Sequence, residues 1–157
     1  MVSIMNGISL KKIGELVSRE GKKSHDMIVV MFKMWLVSKG VLEEKIKVQE
    51  EILEVLPDIV VLCNDKKIES VWEIIEPEEE WNLRKEEVKK KLERLVVRTY
   101  LYLLKPSHVI LTDGRSFIVY DSNSSIVMEI NDLCSVNDSI EKKIEELLIK
   151  PCMIGKH

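Results

Sequence analysis

Residues 57–76 read PDIVVLCNDKKIESVWEIIE, and this stretch confines the fold more than any other. Asp58 to Cys63 is a short apolar run rich in β-branched residues, Asn64-Asp65-Lys66-Lys67 is polar, and Ile68 to Ile75 again has strand character. Two β-prone runs joined by a short polar turn predict a hairpin. Strand periodicity then sorts the side chains of the second run. Glu69, Val71, Glu73 and Ile75 fall on one face, and Ile68, Ser70, Trp72 and Ile74 on a more apolar one. An acid opens the first strand, Asp58, and another lies near the end of the second, Glu73. A hairpin sets the start of one strand beside the end of the other, so the two carboxylates are expected together at one edge of a sheet. Converging carboxylates can seat a divalent cation. The competing account is an Asx turn at Asp58 and a solvated Glu73.

The flanking segments supply a sheet and its cover. Leu10, Ile13, Leu16 and Val17 give residues 8–20 a helical stripe, with Gly21 as its stop. Ser24 caps a second helix reaching about Ser38, with Asp26 in its first turn and Gly40 beyond its end. That helix carries Met27, Ile28, Val29, Val30, Met31, Phe32, Met34, Trp35, Leu36 and Val37, apolar nearly all round, so it is expected in the core or in a homodimer through helix 24–38. Residues 45–55 read as a strand completing a three-stranded meander. Pro77 with Glu78, Glu79 and Glu80 starts a long helix expected to run to Leu103 or Leu104, since proline at the first position and acids in the first turn are both favoured. Its core stripe is Val88, Leu92, Leu95, Val96, Thr99 and Leu103. His108 to Thr112 is a strongly apolar strand, Asp113-Gly114 a hairpin signal, Ser116 to Tyr120 the return, and Ile126 to Ile130 an edge strand. Asp138 or Ser139 caps a last helix, residues 140–149, ended by Pro151. The expected fold is therefore α+β. A central mixed sheet has a long basic helix on one face, with an N-terminal helical pair and a C-terminal helix, in one domain spanning 1–157.

Charge narrows the partners. The 157 residues carry a net charge of −3, so any polyanion contact must come from a local basic patch rather than a global field. The long helix offers one: Arg84, Lys85, Lys89, Lys90, Lys91, Arg94 and Arg98. Such contacts would be sequence-independent and salt-sensitive. Exposed ion pairs on a helix are the plainer reading of the same residues. Charged residues make up 32%, alanine is absent, and Gln49 is the one glutamine. That bias suits a hyperthermophile, where ion-pair networks gain value with temperature, and absence of alanine also suits a gene poor in G and C. Cys63, Cys134 and Cys152 lack metal-ligand spacing, which argues against zinc, and Cys63 reads as a small buried hydrophobe. No apolar run approaches the ~18 residues of a membrane span and no signal peptide opens the chain, so a soluble intracellular protein is expected. There is no Ser-His-Asp set, GxGxxG or P-loop, and His25, His108 and His157 form no cluster in sequence.

Pro57-Asp58 on one strand and Glu73-Ile74-Ile75 on the next resemble the motif of the PD-(D/E)XK nuclease superfamily, the restriction-endonuclease-like fold. The resemblance spans residues 46–121, and the order strand, hairpin, long helix, strand, turn, strand agrees with it. Ile75 stands where the family has lysine. The resemblance implies a metal-dependent deoxyribonuclease acting on double-stranded DNA. Asp58, Glu73 and the Ile74 carbonyl would hold Mg2+ or Mn2+, and a basic residue of the following helix, Arg84, Lys85 or Lys89, would replace the lysine. The chain also resembles the small nucleases of filamentous viruses of hyperthermophilic archaea. That likeness, more than spacing, singles out Glu86 as a further ligand or general base, and it implies the host cell cytoplasm as location. Arg84, Lys85, Lys89 and Lys90 would hold the DNA backbone. The alternative is an inactive module of this fold that binds nucleic acid or a viral or host protein, for which Ile75 is the best argument.

Overall fold

The computed structural model describes residues 8–19, 24–64, 67–76 and 82–154. Gly21, Asp65, Lys66, Pro77, Glu78, Glu79, Glu80 and His157 lie outside them, so the expectations resting on those residues are not addressed. Two helices open the described chain, α1 (Leu10–Ser18) and α2 (His25–Ser38). Ser9 caps the first by accepting from the Lys12 N–H, and Ser24 caps the second by accepting from Met27. Six strands then cross one sheet in chain order: β1 (Ile46–Val48), β2 (Ile59–Asn64), β3 (Lys67–Ile74), β4 (His108–Thr112), β5 (Phe117–Asp121) and β6 (Ile126–Ile130). All neighbours are antiparallel except β3 and β4, which run parallel. A parallel pair needs a crossover. It is made by α3 (Glu86–Leu92), a π-helical turn (Glu93–Val97) and α4 (Arg98–Leu104). The helices α5 (Asp138–Leu148) and α6 (Lys150–Ile154) follow the sheet. The fold is α+β with a mixed sheet.

Both faces of the sheet are covered, which explains why its central strands read as continuous apolar runs. On one face Trp72, Ile74, Ile110, Phe117 and Val119 pack with Leu10 and Ile13 of α1, Phe32 and Trp35 of α2, and Ile144 and Leu148 of α5. Buried Glu141 ties these helices together. It accepts from the Leu10 N–H at 2.9 Å and the Trp35 indole at 3.1 Å, and pairs with Lys39 at 2.9 Å. On the other face Val60, Val71, Val109, Leu111, Ile118 and Tyr120 meet the crossover helices. Gly114, in the turn between β4 and β5, has φ of +87°, and a Cβ there would lie 2.7 Å from a Val17 methyl. Glycine thus serves both the turn and the docking of α1.

Three expectations are corrected. The strand expected over residues 45–55 is only β1. Past it the chain turns tightly, with Gln49, Leu53 and Glu54 at positive φ and Ile52 bridging Val55. Pro151 does not end the last helix; α5 stops at Leu148, and Pro151 lies in the first turn of α6. The third concerns the crossover. Its stripe is buried at Val88 and Leu92, then at Val97, Tyr100 and Leu104, each one residue beyond the expected Val96, Thr99 and Leu103. Leu95, expected in the core, is 54% exposed. The π turn is the cause. It accommodates one extra residue, so everything after it is rotated by about one position.

Candidate functional site

Asp58 precedes β2 and is locked to the end of β3. Its N–H donates to the Trp72 carbonyl at 3.1 Å, and its Oδ2 accepts from the Ile74 N–H at 2.8 Å. The other oxygen, Oδ1, meets His25 Nε2 at 2.9 Å. His25 is the first residue of α2, which covers the opposite face, so it reaches Asp58 around the end of the sheet. Its Nδ1 lies 3.2 Å from Asp26 Oδ1, which also accepts from Gln49 Nε2 at 3.2 Å. Burial pulls the His25 imidazole down, but Asp26 and Asp58 outweigh it, so His25 protonates more readily than a free imidazole. Bonds from His25 and Gln49 hold the exposed Asp26 carboxyl below its ordinary value.

Glu73 occupies the crossover face of β3, as its parity with Val71 requires. Tyr100 donates its hydroxyl to Glu73 Oε1 at 2.5 Å. Burial is the largest force on Glu73. Together with the charge of Asp58 it pushes the carboxyl up to about 7, against the opposing pull of the Tyr100 hydroxyl and of His25. Burial and Glu73 in turn push the Tyr100 phenol far above its ordinary value. Asp58 and Glu73 therefore sense one another across the hairpin, as the sequence predicted. Ile75 joins the apolar cluster beneath the crossover helices.

The residues expected on the long helix lie elsewhere, and the helix itself opens only at Glu86: residues 82–85, expected within it, form a turn that carries Arg84 and Lys85. Lys89 is 11% exposed at its side chain. It lies between Glu129 Oε2 of β6 at 2.8 Å and Glu86 Oε1 at 3.2 Å. Tyr120 donates to Glu93 Oε2 at 2.7 Å in the same region, where burial first, and then Glu93, Glu129 and Glu86, push its phenol up. Glu86 is thus the exposed rim of a second cluster built on α3, β5 and β6. The charged and hydrogen-bonding groups that set the ionisation of Glu73 are Asp58, His25 and Tyr100; Glu86, Arg84, Lys85 and Lys89 are not among them. Arg84, Lys85 and Lys90 are exposed, with Arg84 Nε donating to the Asn131 carbonyl at 3.1 Å. Lys89 is instead spoken for by two carboxylates. His108, read as a strand-start residue, opens β4 and meets Glu69 at 3.0 Å.

Two members of the carboxylate site escaped the sequence reading. His25 lies 33 residues before Asp58, with only a capping serine ahead of it to mark its place. An unbroken helix puts Tyr100 off the core stripe, and the π turn brings it back. Cys63 is not the small buried hydrophobe expected: it is half-buried and disulfide-bonded to Cys152.

The Asp58–Glu73 donors suit a hard divalent cation in kind. Both are oxygen donors, and the Ile74 carbonyl leaves an extended strand on the same side as the N–H that reaches Asp58. A cation there would counter the two forces, burial and like charge, that oppose ionisation of Glu73. No helix among the described residues is long and apolar enough to cross a membrane. The chain matches no protein-family model, no curated protein and no solved structure.

Proposed function

We propose that the chain is a metal-dependent nuclease that hydrolyses phosphodiester bonds of double-stranded DNA without strong sequence specificity. Asp58 and Glu73 would hold Mg2+ or Mn2+ together with the Ile74 carbonyl. The observation that carries this reading is the coupled carboxyl pair at the end of the β2–β3 hairpin, with Glu73 pushed up to about 7 by burial and by Asp58. The order of strand, hairpin, crossover helix, strand, turn and strand supports it as well. A bound divalent cation supplies an acidified water and charge neutralisation at a phosphate. The chain's own groups do the rest. The Ile74 N–H and His25 fix the two oxygens of Asp58, and Tyr100 fixes one oxygen of Glu73. Lys85, Lys90 and Arg84, all exposed, would meet the DNA backbone, and Glu86, exposed beside Lys89, is the further carboxylate to test.

The test is degradation of linear and circular double-stranded DNA with Mg2+, Mn2+ or EDTA, by wild type and by Asp58→Asn, Glu73→Gln and Glu86→Gln. Metal-dependent cutting lost in folded Asp58 or Glu73 variants supports the site. Cutting lost only in the Glu86 variant keeps the activity and moves its centre to the second cluster. The second reading, an inactive module that binds nucleic acid or a protein, draws on Ile75, which packs half-buried against the core and supplies no cation beside Glu73. Wild type that cuts nothing with any of these metals would leave that reading standing.

A further inference from the structure

The opposite end of the hairpin carries a second set of donors. Cys63 of β2 and Cys152 of α6, 89 residues apart in sequence, form a disulfide. Cys63 sits where the β2–β3 register slips between Leu62 and Asn64. Glu69 of β3 points into the same place and is 2% exposed. Its Oε2 meets His108 Nδ1 at 3.0 Å. Its Oε1 lies 3.7 Å from Cys152 Sγ, its one hydrogen-bond-type partner among the described residues. A disulfide sulphur carries no proton, so in the oxidised chain that contact gives the oxygen no donor. A buried carboxylate oxygen without a donor is costly, and a disulfide has no need of a carboxylate beside it. One ligand atom each from Cys63, Glu69 and Cys152 lies within 4.8 Å of both others, the only such trio of His, Cys, Asp or Glu among the described residues.

We propose that the reduced chain holds a thiophilic divalent cation of the zinc class through Cys63, Cys152 and Glu69, so that disulfide and metal site are alternative states of one centre. Tetrahedral zinc with Zn–S of about 2.3 Å and Zn–O of about 2.1 Å sets a sulphur and an oxygen ligand about 3.6 Å apart. The Cys152–Glu69 separation of 3.7 Å already meets that figure. The two sulphurs would part to about 3.8 Å once their bond is broken. His108 then serves as the outer partner that orients the Glu69 carboxylate, and water completes the coordination. A phosphine reductant delivers two electrons to the S–S bond, water supplies two protons and the oxygen of the phosphine oxide, and two thiols result. Binding of the cation displaces the two thiol protons.

The experiment titrates Co2+ into the full-length chain before and after phosphine reduction and removal of the reductant. Expected is about one equivalent bound only after reduction, with near-ultraviolet thiolate-to-cobalt charge transfer, displacement by Zn2+, and release of about two protons. Cys134→Ser leaves the signal unchanged, and Cys63→Ser and Cys152→Ser each remove at least half of it. Glu69→Gln weakens binding on the order of 10–100-fold. Far-ultraviolet dichroism identifies any variant that fails to fold, and the wild type measured in both redox states decides the matter without variants. The proposal is overturned if the reduced wild type gives no charge-transfer band, or if the oxidised chain binds equally. It is also overturned if a folded Glu69→Gln keeps its affinity within about threefold. None of these outcomes bears on the Asp58–Glu73 reading.

Discussion

Two tyrosine–glutamate pairs sit beneath the same crossover helix, built in opposite senses. In one, Tyr100 comes from the helix and Glu73 from the sheet; in the other, Glu93 comes from the helix and Tyr120 from the sheet. The bonds are alike, at 2.5 and 2.7 Å, and both phenols are pushed up chiefly by burial. The surroundings differ. Beside Glu73 stands a second carboxylate, Asp58, and the nearby basic group is a histidine already shared with Asp26. The region of Glu93 contains Lys89, held by Glu129 and Glu86. The same hydrogen bond thus marks one carboxyl that resists ionisation, Glu73, and elsewhere a tyrosine beside a lysine held by two carboxylates. A site built to receive a cation should look like the first, and a structural network like the second.

The largest effect that would test this contrast is on activity. Asp58→Asn and Glu73→Gln are expected to lower metal-dependent DNA cleavage by roughly 10²–10⁴-fold, the scale on which proton transfer and charge stabilisation act. Lys89→Met should leave cleavage nearly unchanged wherever the protein is folded. Initial rates on linear duplex at saturating Mg2+ decide it. A Lys89 variant as inactive as the Glu73 variant would put the chemistry in the second cluster and reverse the assignment.

The next effect is on stability against pH. A carboxyl raised from its ordinary 4.5 to about 7 binds its proton more tightly folded than unfolded. The stability this contributes is complete below about pH 4.5, declines as pH rises toward 7, and is gone above it. The fall is about 2–3 kcal/mol for a group largely out of water. Urea denaturation from pH 4 to 8 should show it in wild type, and Glu73→Gln should flatten that part of the curve. If the pair holds a cation, Mg2+ at pH 8 raises the Tm of wild type and does so far less in Glu73→Gln, because a ligand of the folded state stabilises by mass action. A curve unaltered by Glu73→Gln would mean that Glu73 ionises freely.

In the second cluster the cation is part of the fold. Lys89→Met should cost about 1–3 kcal/mol in urea unfolding, since it leaves Glu129 and Glu86 facing each other without a charge between them. Lys85→Ala and Lys90→Ala, both exposed, should leave stability within about 0.5 kcal/mol. Each should lower the slope of log affinity for DNA against log salt by about one. A Lys89 variant of unchanged stability would make that ion pair incidental.

Much of this was legible in the chain. Pro57-Asp58, the polar stretch after it and the two-residue alternation around Glu73 pointed to the hairpin and to the two acids at one end of it, because strand geometry is local; the register, which slips at Leu62, was not foreseen. What stayed hidden is what local rules cannot carry. His25 reaches Asp58 from a helix on the far face, and nothing about a histidine at the start of an amphipathic helix says which strand end it will meet. Cys63 and Cys152 are distant in sequence and come together only after α5 and α6 have packed. Tyr100 was hidden by one inserted residue. With a regular helix, Thr99 would face the sheet. The π turn at Glu93–Val97 brings Tyr100 there instead, and no residue in that segment announces it. The π turn is thus the local irregularity that sets the Tyr100 hydroxyl against Glu73.

The smallest effect separates the two tyrosines. Each Tyr→Phe change removes one hydroxyl and should cost about 1 kcal/mol at pH 5. At that pH Glu73 is largely protonated and retains a proton of its own to place. The consequences then diverge. The Tyr100 hydroxyl favours the ionised form of Glu73, so Tyr100→Phe should move Glu73 above 7 and extend the fall in stability to higher pH. It should also weaken the Mg2+ response, because a proton must be displaced at greater cost. Tyr120→Phe should shift neither the pH curve nor the Mg2+ response, since neither Tyr120 nor Glu93 is among the groups that set the ionisation of Glu73. Carbon-detected NMR titration of the glutamate carboxyls in the two variants resolves effects of this size. Parallel behaviour of the two would show that the mirrored pairs are electrostatically equivalent, and the contrast between a receptive and a satisfied site would fall with it.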